Sequence, residues 1–419
     1  MQWDLPLFRH SVYLLALLHL SPLWADEVTL LCDDQAALDS RVRIIQTSIT
    51  SLDISWFELD DDKIGQHFTL AIADAAKRGV SVRLILDGMF DRTSTHQREL
   101  LKDSGVKIKW FHPTGTGPTN LMERMHDKYI CADQTHLIVG SRNISNVYFG
   151  VSKRETNFRD YDVMISGDFP RSTNQYFESL WTGDEVDSLR TYKPSAKLLH
   201  HSTRQFDAPL EETKTDPTAP MQFKIPSDCI YFVHDADARK DADAGIHKDL
   251  YKLLNQATER IDIIAPYFFP SRECAAILKQ AEQRGVEIRI LTNSLETTNR
   301  PINHVALMTQ MRHRLGTLPI YQYTGKKTLH AKGLIIDEGT ACITSYNFNR
   351  RSEFFDTELA LIIRDKQFTS ALAAQFSIYF EQSKPLPILP RREVGIGSKY
   401  TTDDIRQLRW LARLIPNHL

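Results

Sequence analysis

The chain has 419 residues, of which 42% are hydrophobic and 25% charged, with a formal net charge of −2. That length is more than one hydrophobic core ordinarily serves and points to two folded units. A near-neutral balance supplies no overall basic field, which argues against a dedicated nucleic-acid binder, and five dispersed cysteines without a C-x-x-C pair argue against a disulfide framework or a zinc site.

Residues 1–25 carry a short apolar run, Ser11 to Ala25, behind Arg9 and His10 and broken at Pro22. It reads as a secretory signal or an N-terminal anchor, with a helix packed on the protein or lying on a membrane as the plainer alternative. It is too short and interrupted for a regular spanning helix.

A first unit is expected over residues 27–195. It opens with a strand at Val28–Leu31 and a helix around Ala36–Thr47. A strand at Ser51–Phe57 and an amphipathic helix at Gly65–Lys77 follow, and the Arg78-Gly79-Val80 turn leads into a strand at Ser81–Leu86. Asp60-Asp61-Asp62 reads as a solvated helix start. Further on, His126 and Lys128 stand two apart in an apolar run, so a strand would aim both at one face. Asp133-Gln134 reads as a hairpin turn into the return strand Leu137-Ile138-Val139, which delivers Ser141 and Asn143 beside that pair.

Residues 196–228 are polar and interrupted by proline, as in a linker. A second unit is expected over 229–390. Its loop acids Asp235, Asp237, Asp241 and Asp243 lack the spacing and closing glutamate of a calcium loop and read as a solvated lead into a helix. Ile261–Ile264 is a strand, Ala275–Gln283 a helix, and Arg284-Gly285-Val286 turns into the strand Glu287–Leu291. Then His330, Lys332, a turn at Asp337, the strand Ala341-Cys342-Ile343, Ser345 and Asn347 repeat the earlier pattern. His126 and His330, Lys128 and Lys332, Asp133 and Asp337, Asn143 and Asn347 each differ by 204 positions, while Gly79 and Gly285 differ by 206. Whole units are therefore duplicated, each a β-α-β alternation that implies a mixed sheet flanked by helices. Residues 391–419 hold an amphipathic helix, Asp403–Ile415. Arg406, Arg409 and Arg413 share one face and Ile405, Leu408, Ala412 and Ile415 another, suited to an anionic lipid surface or to packing on the second unit.

The doubled word H-x-K-x4-D-x6-G-S-x-N resembles the phospholipase D superfamily. Arg124-Met125-His126-Asp127-Lys128, Gly140-Ser141-Arg142-Asn143-Ile144-Ser145 with Tyr148-Phe149-Gly150, Pro266-Tyr267-Phe268-Phe269-Pro270 and Leu291-Thr292-Asn293-Ser294-Leu295 resemble its bacterial cardiolipin synthase branch. The resemblance covers roughly residues 30 to 390. It implies an α/β fold of two tandem phospholipase D-like domains related by a pseudo-two-fold axis. It also implies a phosphatidyltransferase working through a phosphohistidine without metal or cofactor.

Each half supplies one histidine, one lysine and one asparagine, so a single site needs both halves and belongs at their seam. One neutral imidazole attacks phosphorus while the other, protonated, serves the leaving alcohol. The resemblance favours His126 as nucleophile and His330 as acid; the residues themselves leave the order open. Lys128 and Lys332 would neutralise the phosphate oxygens, Asn143 and Asn347 donate hydrogen bonds, and Ser141 and Ser345 brace the site. Asp160-Tyr161-Asp162 parallels Asp356-Thr357-Glu358, and the resemblance then makes Asp162 and Glu358 the carboxylates that orient the histidines. Asp133 and Asp337 are expected to hold the hairpin turns, and Asn293 and His304 to be structural.

Thr344 stands where the pattern has glycine, and its Cβ is expected to crowd the backbone. The implied partners are phospholipids, phosphatidylglycerol and phosphatidylethanolamine among them, at a membrane surface of the bacterial envelope. Nucleic acid is disfavoured. Water as acceptor would make the same residues a hydrolase releasing phosphatidic acid. A nuclease and a lipid-binding protein with a decayed site are the further alternatives.

Overall fold

The computed structural model describes residues 25–113, 122–153, 156–188, 220–235, 245–389, 393–395 and 398–414. The expectations for residues 1–24, for 196–219 of the linker, for Asp237, Asp241 and Asp243, and for Ile415 fall outside them.

The first half contributes strands β1 (Ala25–Leu31), β2 (Ser51–Trp56), β3 (Ser81–Asp87), β4 (Lys107–Phe111), β5 (Arg124–Met125), β6 (Lys128–Ala132), β7 (His136–Gly140), β8 (Phe158–Arg159), β9 (Asp162–Ser166), β10 (Val186–Asp187) and β11 (Met221–Pro226). All but β5 and β8 form one nine-stranded sheet in the order β10-β4-β3-β2-β6-β7-β9-β1-β11. The second half contributes β12 (Ile230–His234), β13 (Arg260–Ile264), β14 (Glu287–Asn293), β15 (Ile320–Tyr323), β16 (Thr328–Leu329), β17 (Gly333–Ile336), β18 (Thr340–Thr344), β19 (Asp356–Thr357), β20 (Leu359–Ile363) and β21 (Ser383–Pro385). Eight of these form a sheet in the order β12-β20-β18-β17-β13-β14-β15-β21, the same topology without the extra edge strand β11.

The strands β2, β3 and β4, and likewise β13, β14 and β15, pair in parallel and are joined through helices. Parallel strands lie covered on both faces, which is why they read as near-continuous apolar runs. The exception in each run is charged and repeats. Arg83 forks onto Asp53 at 2.7 and 2.8 Å across β2 and β3, and Arg289 onto Asp262 at 2.8 and 2.8 Å across β13 and β14. Each guanidinium is also covered by a phenylalanine ring, Phe177 or Phe380. The duplication thus extends to half-buried ion pairs.

The helices Asp34–Thr47 and Lys63–Lys77 cover the outer face of the first sheet, and Ile246–Gln256 and Arg272–Gln283 that of the second. One apolar cluster between the sheets draws Val139 and Val163 from one half, Ile343 and Leu361 from the other, and side chains of the helices Asn174–Thr182 and Lys366–Glu381. The two halves therefore share a core. The stretch read as a linker is corrected in part: Met221–Pro226 is an edge strand of the first sheet, antiparallel to β1. The chain crosses to the second sheet within Ser227–Cys229.

Asp133 and Asp337 sit in the β6–β7 and β17–β18 turns at φ 53° and 51°. Asp133 accepts the amides of Ile49, Thr50 and Ser51, and Asp337 those of Thr258, Glu259 and Arg260. Slight burial acts to raise each carboxyl, but these donors prevail and hold both below the ordinary range.

The threonine at 344 is explained by its cross-strand neighbour. Gly140 lies opposite Asp162, and a Cβ there would come within 2.7 Å of the Asp162 Cα. Thr344 lies opposite Ala360 instead, and its hydroxyl donates to the Leu359 carbonyl at 2.7 Å and accepts the Tyr346 amide at 3.0 Å. The expected crowding is absent because the facing side chain is small.

Candidate active site

The two short parallel ribbons outside the main sheets build the site, and each joins one half to the other. In the first, β5 pairs with β19 so that Arg124 faces Asp356 and Met125 faces Thr357. The next residues are His126 and Glu358, which the register brings abreast. The His126 amide donates to the Thr357 carbonyl at 2.9 Å, and its Nδ1 lies 2.9 Å from Glu358 Oε2. In the second ribbon, β16 pairs with β8, Thr328 facing Phe158 and Leu329 facing Arg159. His330 and Asp160 follow. The His330 amide donates to the Arg159 carbonyl at 2.8 Å, and its Nδ1 lies 3.0 and 3.2 Å from the Asp160 oxygens.

Each histidine is therefore oriented by a carboxylate from the opposite half. Each carboxylate is in turn braced by its own half: Ser141 donates to Asp160, and Ser345 to Glu358. The ribbons are pinned as well. Asp87 accepts the Met125 amide at 2.9 Å, and Asn293 accepts the Leu329 amide at 3.0 Å while donating to the Leu329 carbonyl at 2.8 Å. His304 Nδ1 faces the Asn293 carbonyl at 3.0 Å, so Asn293 and His304 are structural here. Asp235, read as part of a solvated loop, is buried and accepts the Glu358 amide at 3.0 Å and the Ile246 amide at 2.7 Å.

The carboxylate facing His330 is Asp160, which corrects the assignment of Asp162. Asp162 is buried between two guanidiniums, 2.9 Å from Arg41 and 2.7 Å from Arg142. Pairing Asp162 with Glu358 is two residues out of register with the strands β9 and β20. Glu358 precedes β20 while Asp162 opens β9, so its counterpart in the second half is Ala360, opposite Thr344. The signal that locates the acid is its hydroxyl partner, since Ser141 and Ser345 carry the 204-residue separation themselves.

The lysines stand two residues after the histidines, Lys128 opening β6 and Lys332 just before β17. Lys128 Nζ donates to the His126 carbonyl at 2.7 Å and Lys332 Nζ to the His330 carbonyl at 2.6 Å, and both are buried. Asn143 donates to the Tyr148 hydroxyl at 2.9 Å, and Asn347 is held by its amide on Ser352 Oγ at 3.1 Å. Aromatic rings that sequence reasoning did not single out wall the histidines: Phe57 is 4.8 Å from His126, and Tyr148 and Phe158 are 5.1 and 5.3 Å from His330.

Burial is the first cause of every shift in the site. It drives His126 far below the usual imidazole range, helped by Lys128, Lys332 and His330, and takes His330 to about 4 against the pull of Asp160. Burial would raise Asp160, but His330, Lys332 and Arg142 outweigh it and hold the carboxyl at about 2. At Glu358 burial wins and the carboxyl rises to about 7 despite Lys128. Burial also lowers Lys128 to about 8 and Lys332 to about 7 against nearby carboxylates. These mutual influences tie both imidazoles and both ammonium groups into one coupled centre. The asymmetry matters: His330 faces a firmly ionised Asp160, while His126 faces a carboxyl that is partly neutral near pH 7.

Among the described residues one group has metal-ligand chemistry. His112, Glu123 and Glu185 bring their ligand atoms within 4.8 Å of one another. The His112 Nε2 stands 3.9 Å from Glu123 and 4.0 Å from Glu185. It lies outside the His–Lys–Asn set.

Two copies of one α/β unit that pool histidines, lysines and asparagines at their seam define an enzyme of the phospholipase D superfamily. The chain belongs to the family described as cardiolipin synthase, PLD-like domain, which it matches over residues 42–181 and 250–380. It is 28% identical over 394 residues to cardiolipin synthase C of Escherichia coli (strain K12), covering 81% of this chain and 82% of that protein. It is 24% identical over 399 residues to cardiolipin synthase A of Pseudomonas entomophila (strain L48), covering 93% and 74%. Its fold matches the crystal structure of phosphatidylserine synthase from Haemophilus influenzae Rd KW20 with a TM-score of 0.67 at 15% identity, covering 93% and 94% of the two chains.

Proposed function

We propose that this protein is a phosphatidyltransferase of cardiolipin-synthase type, which passes the phosphatidyl group of one phospholipid to a hydroxyl of phosphatidylglycerol at a membrane surface. The observation that carries the reading is the crossed pair of dyads, His126 with Glu358 and His330 with Asp160, beside two buried lysines. Kinship with cardiolipin synthases over most of the chain supports it. No helix among the described residues is long and apolar enough to cross a membrane.

In this mechanism neutral His126 attacks phosphorus through Nε2, its Nδ1 being engaged by Glu358. The bond to the leaving alcohol breaks, and that oxygen takes the proton of His330, whose charged form Asp160 and the bound phosphodiester anion together favour against burial. The acceptor hydroxyl then returns a proton to His330 as it attacks the phosphohistidine and frees His126. Lys128 and Lys332 offset charge on the non-bridging oxygens, and Asn143 and Asn347 offer amide hydrogens.

The lysine shifts set the pH response. In the free enzyme, raising pH through about 7 and then about 8 strips charge from Lys332 and Lys128, so kcat/KM is expected to fall over that window. A bound phosphodiester favours the ammonium forms, which displaces the fall in kcat to higher pH. Initial rates from about pH 5.5 to about 9.5 check this, and a kcat/KM still rising past about pH 9 contradicts it.

Separating the lipid products tests the reaction itself. Incubation with vesicles of phosphatidylglycerol and phosphatidylethanolamine is expected to yield cardiolipin. Phosphatidic acid as the sole product would make water the acceptor and overturn transfer.

A further inference from the structure

Away from the histidines, the second half holds a cavity of about 370 Å³ into which Arg272, Arg314, Arg350 and Arg413 converge. They come from four separate parts of the chain: the first turn of the helix Arg272–Gln283, the turn Arg312–Leu315, the start of the short helix Arg350–Phe354, and the C-terminal helix Thr402–Leu414. No aspartate or glutamate lines the cavity. Among the described residues none of the four guanidiniums forms a hydrogen bond or an ion pair. Arg350 lies over the Phe354 ring at 5.3 Å, and Glu353 acts on it through space. Four like charges gathered around one cavity repel one another, and a planar donor fork is the group that matches phosphate best.

The cavity is held in shape by its surroundings. A π-helical turn, Leu307–Met311, supplies Thr309 and Gln310 to the wall, and such turns are rare and concentrate at functional sites. Gln310 also donates to the Ala412 carbonyl at 3.0 Å, fixing the helix that carries Arg413. That helix packs on the second half through Ile405 and Ala412, so its inner face is used. Its outer side leaves Trp410 61% and Leu414 58% exposed, and Phe354, beside Arg350, is 54% exposed. Basic groups interleaved with exposed aromatic and aliphatic side chains suit the headgroup layer of an anionic bilayer, and free phosphate has no use for the apolar rim. Phe269 lines the cavity and pairs with Asn349, so the wall is continuous with the loop that carries Asn347.

We propose that this arginine-lined cavity binds the phosphate of an anionic phospholipid in the bilayer and docks the second half on the membrane, with the Asn347 loop turned toward the lipid. The inference rests on the reading that the substrate is a bilayer phospholipid, and it concerns binding rather than the chemical step. The lipid held here is not the one that reacts.

Co-sedimentation with phosphatidylcholine vesicles, with and without phosphatidylinositol, tests it on the full chain. The wild type is expected to bind the anionic vesicles preferentially. The triple change Arg272→Gln, Arg314→Gln, Arg413→Gln, all at exposed positions, should weaken that binding about 100-fold. The triple change Arg272→Lys, Arg314→Lys, Arg413→Lys keeps the charge but not the forks and should recover only part of it, and Trp410→Ala should weaken it further. Transfer on a soluble short-chain phospholipid should be unchanged in the glutamine triple. Equal vesicle binding by wild type and glutamine triple would overturn the proposal. So would a triple that loses inorganic phosphate binding but keeps vesicle binding, which would make the cavity a site for free anions. A wild type that binds anionic vesicles through these arginines but forms no cardiolipin would refute the reaction and leave the docking site standing.

Discussion

Replacing His126 with alanine is expected to abolish turnover, by on the order of 10⁶-fold, because removal of a nucleophile in a covalent mechanism leaves only binding and charge stabilisation. In the proposed mechanism His126 takes that part, and its surroundings suit it. Burial and two lysines keep its ring neutral, and the Glu358 contact occupies Nδ1. His330→Ala is expected to cost less in the first step when the leaving alcohol is acidic, since such an oxygen departs without a proton. With such a donor labelled in the phosphatidyl group, His330→Ala should accumulate acid-labile label on the protein, and His126→Ala none. Label retained by His126→Ala and absent from His330→Ala would exchange the two roles.

The second large effect separates two aspartates that lie two positions apart. Asp160→Asn is expected to lower kcat by about 10²- to 10⁴-fold with little change in thermal stability, because it removes the charge that steadies the protonated ring of His330. Asp162→Asn is expected to do the reverse. It leaves the buried guanidiniums of Arg41 and Arg142 short of a counter-charge, and breaking a buried pair costs about 3–5 kcal/mol. Thermal unfolding should show a fall in Tm, while the folded fraction keeps near-normal kcat. A loss of kcat at unchanged Tm in Asp162→Asn would return that residue to the catalytic centre.

Glu358 and Asp160 differ in more than length. The same position in the two ribbons carries a carboxyl held at about 2 in one half and raised to about 7 in the other. Burial lowers both imidazoles, and the two differ in the carboxyl each faces, an ionised Asp160 at His330 and a raised Glu358 at His126. The difference follows from neighbours. Asp160 has Arg142 nearby as well as His330 and Lys332, whereas position 346 in the second half is a tyrosine, and burial prevails at Glu358.

Much of this architecture is written locally. The His-x-Lys spacing at 126–128 and again at 330–332 keeps the two side chains close in the chain, at the point where a short ribbon hands over to a sheet strand. Asp133 and Asp337 mark their own turns, although the amides they accept lie about 80 residues away, and the helix starts and strand runs of both halves depend on neighbours a few residues away. The constant separation of 204 then implies two like units and a shared centre.

What only the tertiary structure decided lies in contacts between residues that are remote in the chain. Which carboxylate meets which histidine depends on β5 pairing with β19 and β16 with β8, a register between halves that no local pattern encodes. Thr344 is harmless because the residue across the ladder is Ala360, and Gly140 is needed because it is Asp162. The four arginines of the second cavity are unremarkable one at a time and become a charged site only when four segments fold together. Side-chain periodicity is a property of the backbone, and so it survives in a string of letters. Charge partners and facing volumes are set by packing, and only the folded chain contains them.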